Sequence, residues 1–144
     1  MQTFLPYPDF HHSAHVLDPK RLGNQFYREG LTLLRGKWQN HPASKMWRGH
    51  ESWLCLYLLA CHHELEARGL YYPHHAEEVL ATMAGLPDQP QPPWLGNEQF
   101  HSRHRAVLLY KDPEWYGQFD WQEDPQGKGE DGRYPYIWPL GVAA

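Results

Sequence analysis

A chain of 144 residues and 17.0 kDa is long enough to bury one hydrophobic core and too short for two large ones. Its 41% hydrophobic content is dispersed, with a mean hydropathy of -0.75. No stretch approaches the roughly 20 apolar residues of a membrane span, and MQTFLPYPDFHH lacks the basic start and apolar run of a secretory leader. A cytoplasmic chain is therefore expected. The net charge of -4 excludes a uniformly basic nucleic-acid binder, but the charge is unevenly placed. Residues 1–50 hold seven Lys and Arg against three Asp and Glu, and residues 97–111 hold three against one; the intervening and final stretches are acidic. One cationic and one anionic face are the expectation.

Helical spacing dominates, and alternating strand patterns are confined to short candidates near each end. The expected fold is all-α, a single compact domain over 1–144 with four to five helices and an irregular, aromatic-rich C-terminal segment. Asp9 suits an N-cap for a first helix over about 10–16. Asp18 and Pro19 then open a second helix that buries Leu22, Phe26, Leu31, Leu33 and Leu34 and stops at Gly36. Asn40-His41-Pro42 starts a long central helix running to Gly69, with Met46, Trp47, Trp53, Leu54, Tyr57, Leu58, Cys61 and Leu65 on its inner face. Cys55 and Cys61 fall about 9 Å apart along that helix, too far for a disulfide.

The turn Tyr71-Tyr72-Pro73 leads to a short helix over about 75–84, and the proline-rich LPDQPQPPWLG reads as an ordered surface crossing. NEQFHSRHRAVLLYKDPEWY supplies a last helix ending before Pro113. Trp47, Trp53 and Trp115 lie in apolar patterns; Trp94, Trp121 and Trp138 lie in loops, where stacking on an exposed base is open to them.

Arg28 and Glu29 sit side by side in the second helix, about 100° apart around its axis, so one apolar stripe cannot bury both. A solvated charge pair is the plain reading. Arg21, Gln25 and Arg28, at offsets of four and three, make a polar stripe able to meet phosphate. Eleven histidines invite a metal reading through His11, His12, His15, His62-His63, His74-His75 and His101-x-x-His104. HExxH is absent and no carboxylates stand at a telling spacing, so no metal and no cofactor is expected.

The strings MQTFLPYPDF, LDPKRLGNQ, YREG, WQNHPASKMWRG, HRAVLLYKDPEWYGQFDW and YPYIWP, in this order, resemble the pyrimidine-dimer DNA glycosylases of the phage endonuclease V type, especially a bacterial and phage branch beginning MQTFLP. The resemblance spans nearly the whole chain. It implies a small all-α enzyme, expected to be a monomer, that binds duplex DNA, takes a damaged or modified pyrimidine from it and then cleaves the backbone as an AP lyase. Tyr27-Arg28-Glu29 matches the family's Tyr-Arg-Glu pattern, which implies Glu29 as the catalytic carboxylate and Arg28 beside it on the DNA.

The family's nucleophile is the chain's own α-amine. An amine with a pKa of about 7.7–8 is roughly a tenth neutral at pH 7, far more than a lysine at about 10.4. The best-known members lose Met1 and attack from a small second residue. Gln2 is bulky here, so the nucleophile is the Met1 amine, or else activated water that leaves an abasic site. Asn40-His41-Pro42 and His104-Arg105 also match strings of the branch; Asn40 or His41 serves either as helix cap or in function, and His104, Arg105 and Lys111 belong to the second cationic stretch, suited to phosphate. Two further readings stand beside this one: a non-catalytic DNA-binding or phage accessory protein with the same fold, and a His-rich metal-dependent hydrolase.

Overall fold

Asp9 and Asp18, each followed at once by a helix, set the start of the fold. In the computed structural model, which describes residues 2–70 and 73–139, Asp9 accepts from His12 N and caps α1 (Phe10–Val16), and Asp18 accepts from Arg21 N and caps α2 (Pro19–Gly23). The Tyr71-Tyr72 part of the expected turn lies outside the described residues, as does Met1.

The helix begun at Pro19 continues to Leu34, but its middle is wound differently. Asn24–Gly30 forms a π segment before the chain returns to α geometry as α3 (Leu31–Leu34). Wide turns of this kind recur at functional sites because they re-aim side chains without ending the helix. Gly30 is what lets the wide turn lie against its neighbour. A Cβ there would stand 2.0 Å from Leu58 Cδ2 and 2.3 Å from the Gln25 carbonyl oxygen, so no larger residue fits. Gly36, at φ 78°, ends the run, with Lys37 N reaching back to Thr32 O.

The long central helix expected from Pro42 onward is two helices. α4 (Pro42–Trp47) stops at Arg48, Gly49 turns the chain at φ 82°, and α5 (Glu51–Ala67) sets off on a new axis. The apolar spacing runs across this break, which is why periodicity alone reads it as continuous. Leu54, Tyr57, Leu58, Cys61 and Leu65 of α5 are buried, and α1, α6 (Pro73–Ala84), the π segment and the helices on either side of it all pack on α5. α7 (Glu98–Lys111), capped by Asn97, and α8 (Pro113–Tyr116), capped by Asp112, close the helical part; a 3₁₀ turn follows over Gly117–Phe119.

The described residues are all-helical apart from irregular connections, and they contain no strand. None of their helices is long and apolar enough to cross a membrane. Trp47, Tyr57, Tyr116, Phe26 and Phe100 are the largest fully buried side chains. Trp94, read as a loop residue, is core as well: it is 3% exposed and donates to Met46 O at 2.9 Å. After the 3₁₀ turn the chain runs back along α7, held by Gln126 N on Ala106 O and by Arg103 on Pro135 O.

The clash at Gly30 gives a direct test of the π segment. Gly30→Ala is expected to lower stability by about 2 kcal/mol or more in a denaturant melt, the scale of overpacking a tight contact, whereas Gly23→Ala, with open space around its Cβ, changes it little.

Candidate active site

Residues 2–7 run extended through the interior, and here the strand candidate near the N-terminus finds its real partners. Its backbone groups pair with side chains from three directions. Gln2 N donates to Glu29 Oε2 at 3.3 Å, and Gln25 Nε2 donates both to Gln2 O and to that same Glu29 oxygen, each at 2.9 Å. Gln25 Oε1 accepts from Phe4 N at 2.7 Å. The Tyr57 hydroxyl stands 2.6 Å from Phe4 O and 2.9 Å from Gln25 Oε1 and gives its one proton to either. Trp47 Nε1 of α4 donates to Thr3 Oγ1 at 3.0 Å.

From the other side α7 completes the clamp. Gly96 N donates to His101 Nε2, so the His101 proton sits on Nδ1 and goes to Leu5 O at 2.7 Å. His104 Nδ1 accepts from Leu5 N at 2.8 Å, which puts its proton on Nε2. Arg105 Nη1 donates to Pro6 O at 2.7 Å, and Ser13 Oγ both accepts from Tyr7 N and donates to Tyr7 O. Buried backbone normally pairs with backbone; here conventional strand pairing is replaced by side chains whose geometry is fixed by their helices.

Burial shapes the charges. It lowers the pKa of His104 to about 3, with the His101 charge adding to it, and it lowers that of His101 in spite of the Leu5 carbonyl. Both imidazoles are thus held neutral. Partial burial lowers His41 too. Arg105 is kept charged against its desolvation by Glu123 and Glu98, and Glu123, although burial opposes its charge, is held below the usual carboxylate range by Arg105 and Ser102.

Glu29 is half-buried, and its two protein contacts both fall on Oε2. Oε1 makes no hydrogen bond to the described residues. Beside it the C-terminal segment forms an aromatic wall. Tyr136 packs edge-on to Phe4, with ring centres 6.1 Å apart, and against His104 at 5.6 Å; Trp138 meets Tyr136 at 5.7 Å and His41 at 5.8 Å. Burial raises the Tyr136 hydroxyl pKa, and the Tyr134 and Glu29 charges push the same way. His41, Arg133, Tyr134, Tyr136 and Trp138 line a pocket of about 370 Å³.

The residues singled out from the sequence divide into two groups. Glu29 and Gln25 meet at Gln2, and Met1, which precedes it, lies outside the described residues. Arg28 is exposed on the outer side of the π segment, Arg21 pairs with its own cap Asp18 at 3.1 Å, and Asn40 is exposed in the loop before α4. His41 is the cap of α4, its Nδ1 accepting from Ala43 N, and it lines the aromatic pocket as well. Lys111 Nζ lies 4.2 Å above the Tyr134 ring centre.

Three residues do not stand where a phosphate would reach them. Gln25 is 1% exposed because the π turn directs it inward onto the N-terminal segment, so it leaves the stripe it forms with Arg21 and Arg28 on an ideal helix. His104 is fully buried and Arg105 is 8% exposed, and their polar atoms hold Leu5 and Pro6. Tyr57 gave no functional sign in the sequence, being one apolar-stripe aromatic, and His101 stood out only as half of a candidate metal pair with His104, whereas it holds Leu5 O. Tyr134 and Tyr136 were visible only as part of YPYIWP.

The family described as pyrimidine dimer DNA glycosylase matches the chain over residues 1–78, a span that includes the N-terminal segment, the π segment, α4 and α5. Neither a curated protein nor a solved structure gives a match.

Two measurements probe the clamp. Gln25→Ala removes the partners of Phe4 N and Gln2 O together and is expected to cost roughly 3 kcal/mol or more of stability. His104 has the acid-sensitive part. Unfolded, it takes up a proton near its ordinary pKa of about 6.5, whereas folded it resists until about 3. Its contribution is therefore complete above about pH 6.5 and fades as pH falls through that window. Melting temperatures recorded from pH 7 to pH 4 should drop more steeply for the wild type than for His104→Gln; equal slopes would remove His104 from the account.

Proposed function

The chain belongs to the pyrimidine dimer DNA glycosylase family, and on that footing we propose that this DNA repair glycosylase attacks the sugar with its own α-amine, assisted by Glu29, and acts as a single domain on duplex DNA holding a damaged or modified pyrimidine. The observation that carries the reading is the 3.3 Å separation between Gln2 N and Glu29 Oε2. The Met1 amine precedes that nitrogen by one residue in the sequence; loss of Met1 would make the Gln2 nitrogen itself the amine.

The neutral amine adds to C1′ as the glycosidic bond breaks, and the departing base takes up a proton. Opening of the sugar ring at O4′ leaves a protonated imine joining the chain to C1′. The Glu29 carboxylate stabilises the positive charge on sugar and imine, and its Oε1, not engaged by the described residues, is the oxygen available to move protons. Removal of the C2′ proton then expels the 3′-phosphate, which is the lyase step. Hydrolysis of the imine returns the amine.

Gln25 acts as a positioning residue, since one amide binds both the Gln2 carbonyl and the Glu29 carboxylate. Arg28 and Arg21 from the helix of Glu29, Asn40 and His41 from the following loop, and Lys111 from α7 are the proposed DNA contacts. The aromatic pocket between His41 and Trp138 offers an unstacked base a ring-lined place.

Glu29→Gln keeps the size and the Gln25 contact but loses the charge and the base. Base release and strand cleavage, scored separately on duplexes bearing a pyrimidine dimer, should both fall by about 10²-fold or more while duplex binding persists. Undiminished base release by this variant would remove Glu29 from the chemistry.

A further inference from the structure

Trp38 stands apart from every other tryptophan of the chain. It is 60% exposed, the most exposed large hydrophobic side chain among the described residues. Its backbone sits at φ 63°, in the left-handed region that a bulky L residue seldom occupies. Neither feature is repaid by packing: a buried indole or a glycine at this position would each suit the fold better.

The loop around it holds this presentation firmly. Gly36 ends α3, Gln39 Nε2 donates to Gly36 O at 3.1 Å, Arg48 Nη2 donates to Gln39 O at 2.8 Å, and His41 N closes a turn on Trp38 O at 2.9 Å. The side chain is thus projected by a braced turn, between exposed Lys37 and the exposed Arg48.

Ring contacts connect this turn to the proposed site. The indole of Trp38 meets His41 at 6.3 Å, His41 meets Trp138 at 5.8 Å, Trp138 meets Tyr136 at 5.7 Å, and Tyr136 meets Phe4 at 6.1 Å, two residues from Gln2. Trp38 and the aromatic pocket therefore flank one histidine, with flanking cations to hold phosphates. An exposed apolar side chain projected among cations is the chemistry of a wedge that enters a base step, and such wedges unstack and kink the duplex.

We propose that Trp38 enters the base stack of the duplex beside the lesion, filling the space left when a nucleotide is drawn out towards the pocket that His41 lines. This rests on the glycosylase reading, but it makes a separate claim about how the DNA is opened. Apolar bulk is what a wedge needs, so leucine should replace tryptophan where alanine cannot.

The test uses the full chain and a duplex containing one pyrimidine dimer, with 2-aminopurine in the opposite strand facing the lesion. Wild type should raise the 2-aminopurine fluorescence on binding as that base loses its neighbours. Trp38→Ala should abolish most of the rise and weaken binding of the dimer duplex about tenfold, while the affinity for an undamaged duplex stays within twofold and the melting temperature is unchanged. Trp38→Leu should restore most of both signals. The proposal is overturned if the wild type gives no rise, if Trp38→Ala retains rise and affinity, if damaged and undamaged duplexes are weakened equally, or if leucine fails where tryptophan succeeds. Because fluorescence and affinity are read without base release, a loss of the glycosylase reading through Glu29→Gln would leave this result standing or falling alone.

Discussion

The fold is organised around an extended N-terminal segment whose buried backbone is satisfied by side chains. Gln25, Glu29 and Tyr57 hold it from the π segment and α5, and His101, His104 and Arg105 hold it from α7. A pairing strand would satisfy the same groups with less demand on helix placement. Side-chain pairing instead makes the position of Gln2 depend on two helix systems at once, which fixes it against Glu29. Disturbing either system leaves buried polar groups without partners, so the placement is strongly determined.

The π segment is the second half of that arrangement. Gln25 and Glu29 both reach the same backbone while Phe26 stays in the core, and Gly30 lets the widened turn approach Leu58. The neutral state of His101 and His104 is a consequence of the same burial, because each must offer an unprotonated nitrogen to a backbone N–H. His101 and His104 thus hold the N-terminal segment as neutral groups, Arg105 is kept charged by Glu123 and Glu98, and Arg28, Lys37 and Arg48 are exposed.

Much of this was legible in the sequence. Asp9 and Asp18 cap the helices they were expected to cap, Gly36 stops the second helical run, and the all-helical class follows from the spacing of apolar residues. The ordered strings from MQTFLPYPDF to YPYIWP carried the resemblance to the family that matches residues 1–78. The rest was hidden for physical reasons. A π turn leaves no signature in apolar periodicity, so Gln25 read as surface; Gly49 breaks a helix whose hydrophobic pattern continues through it; and the burial of His104 and Arg105 arises from contacts with Leu5 and Pro6, about a hundred residues away in the chain. Trp38 left a faint mark, an aromatic residue in the polar stretch GKWQNHP, which apolar-stripe reasoning passes over.

On the proposed mechanism a terminal nitrogen attacks the sugar with the help of the Glu29 carboxylate, and the covalent bond it makes can be located. Borohydride reduction during reaction with dimer-containing duplex, followed by proteolysis and mass spectrometry of the peptide bearing the sugar, identifies the attacking nitrogen. The account predicts the adduct on the α-nitrogen of the N-terminal peptide and on no lysine. An adduct on a lysine side chain, or base release with no reducible adduct at all, would contradict it.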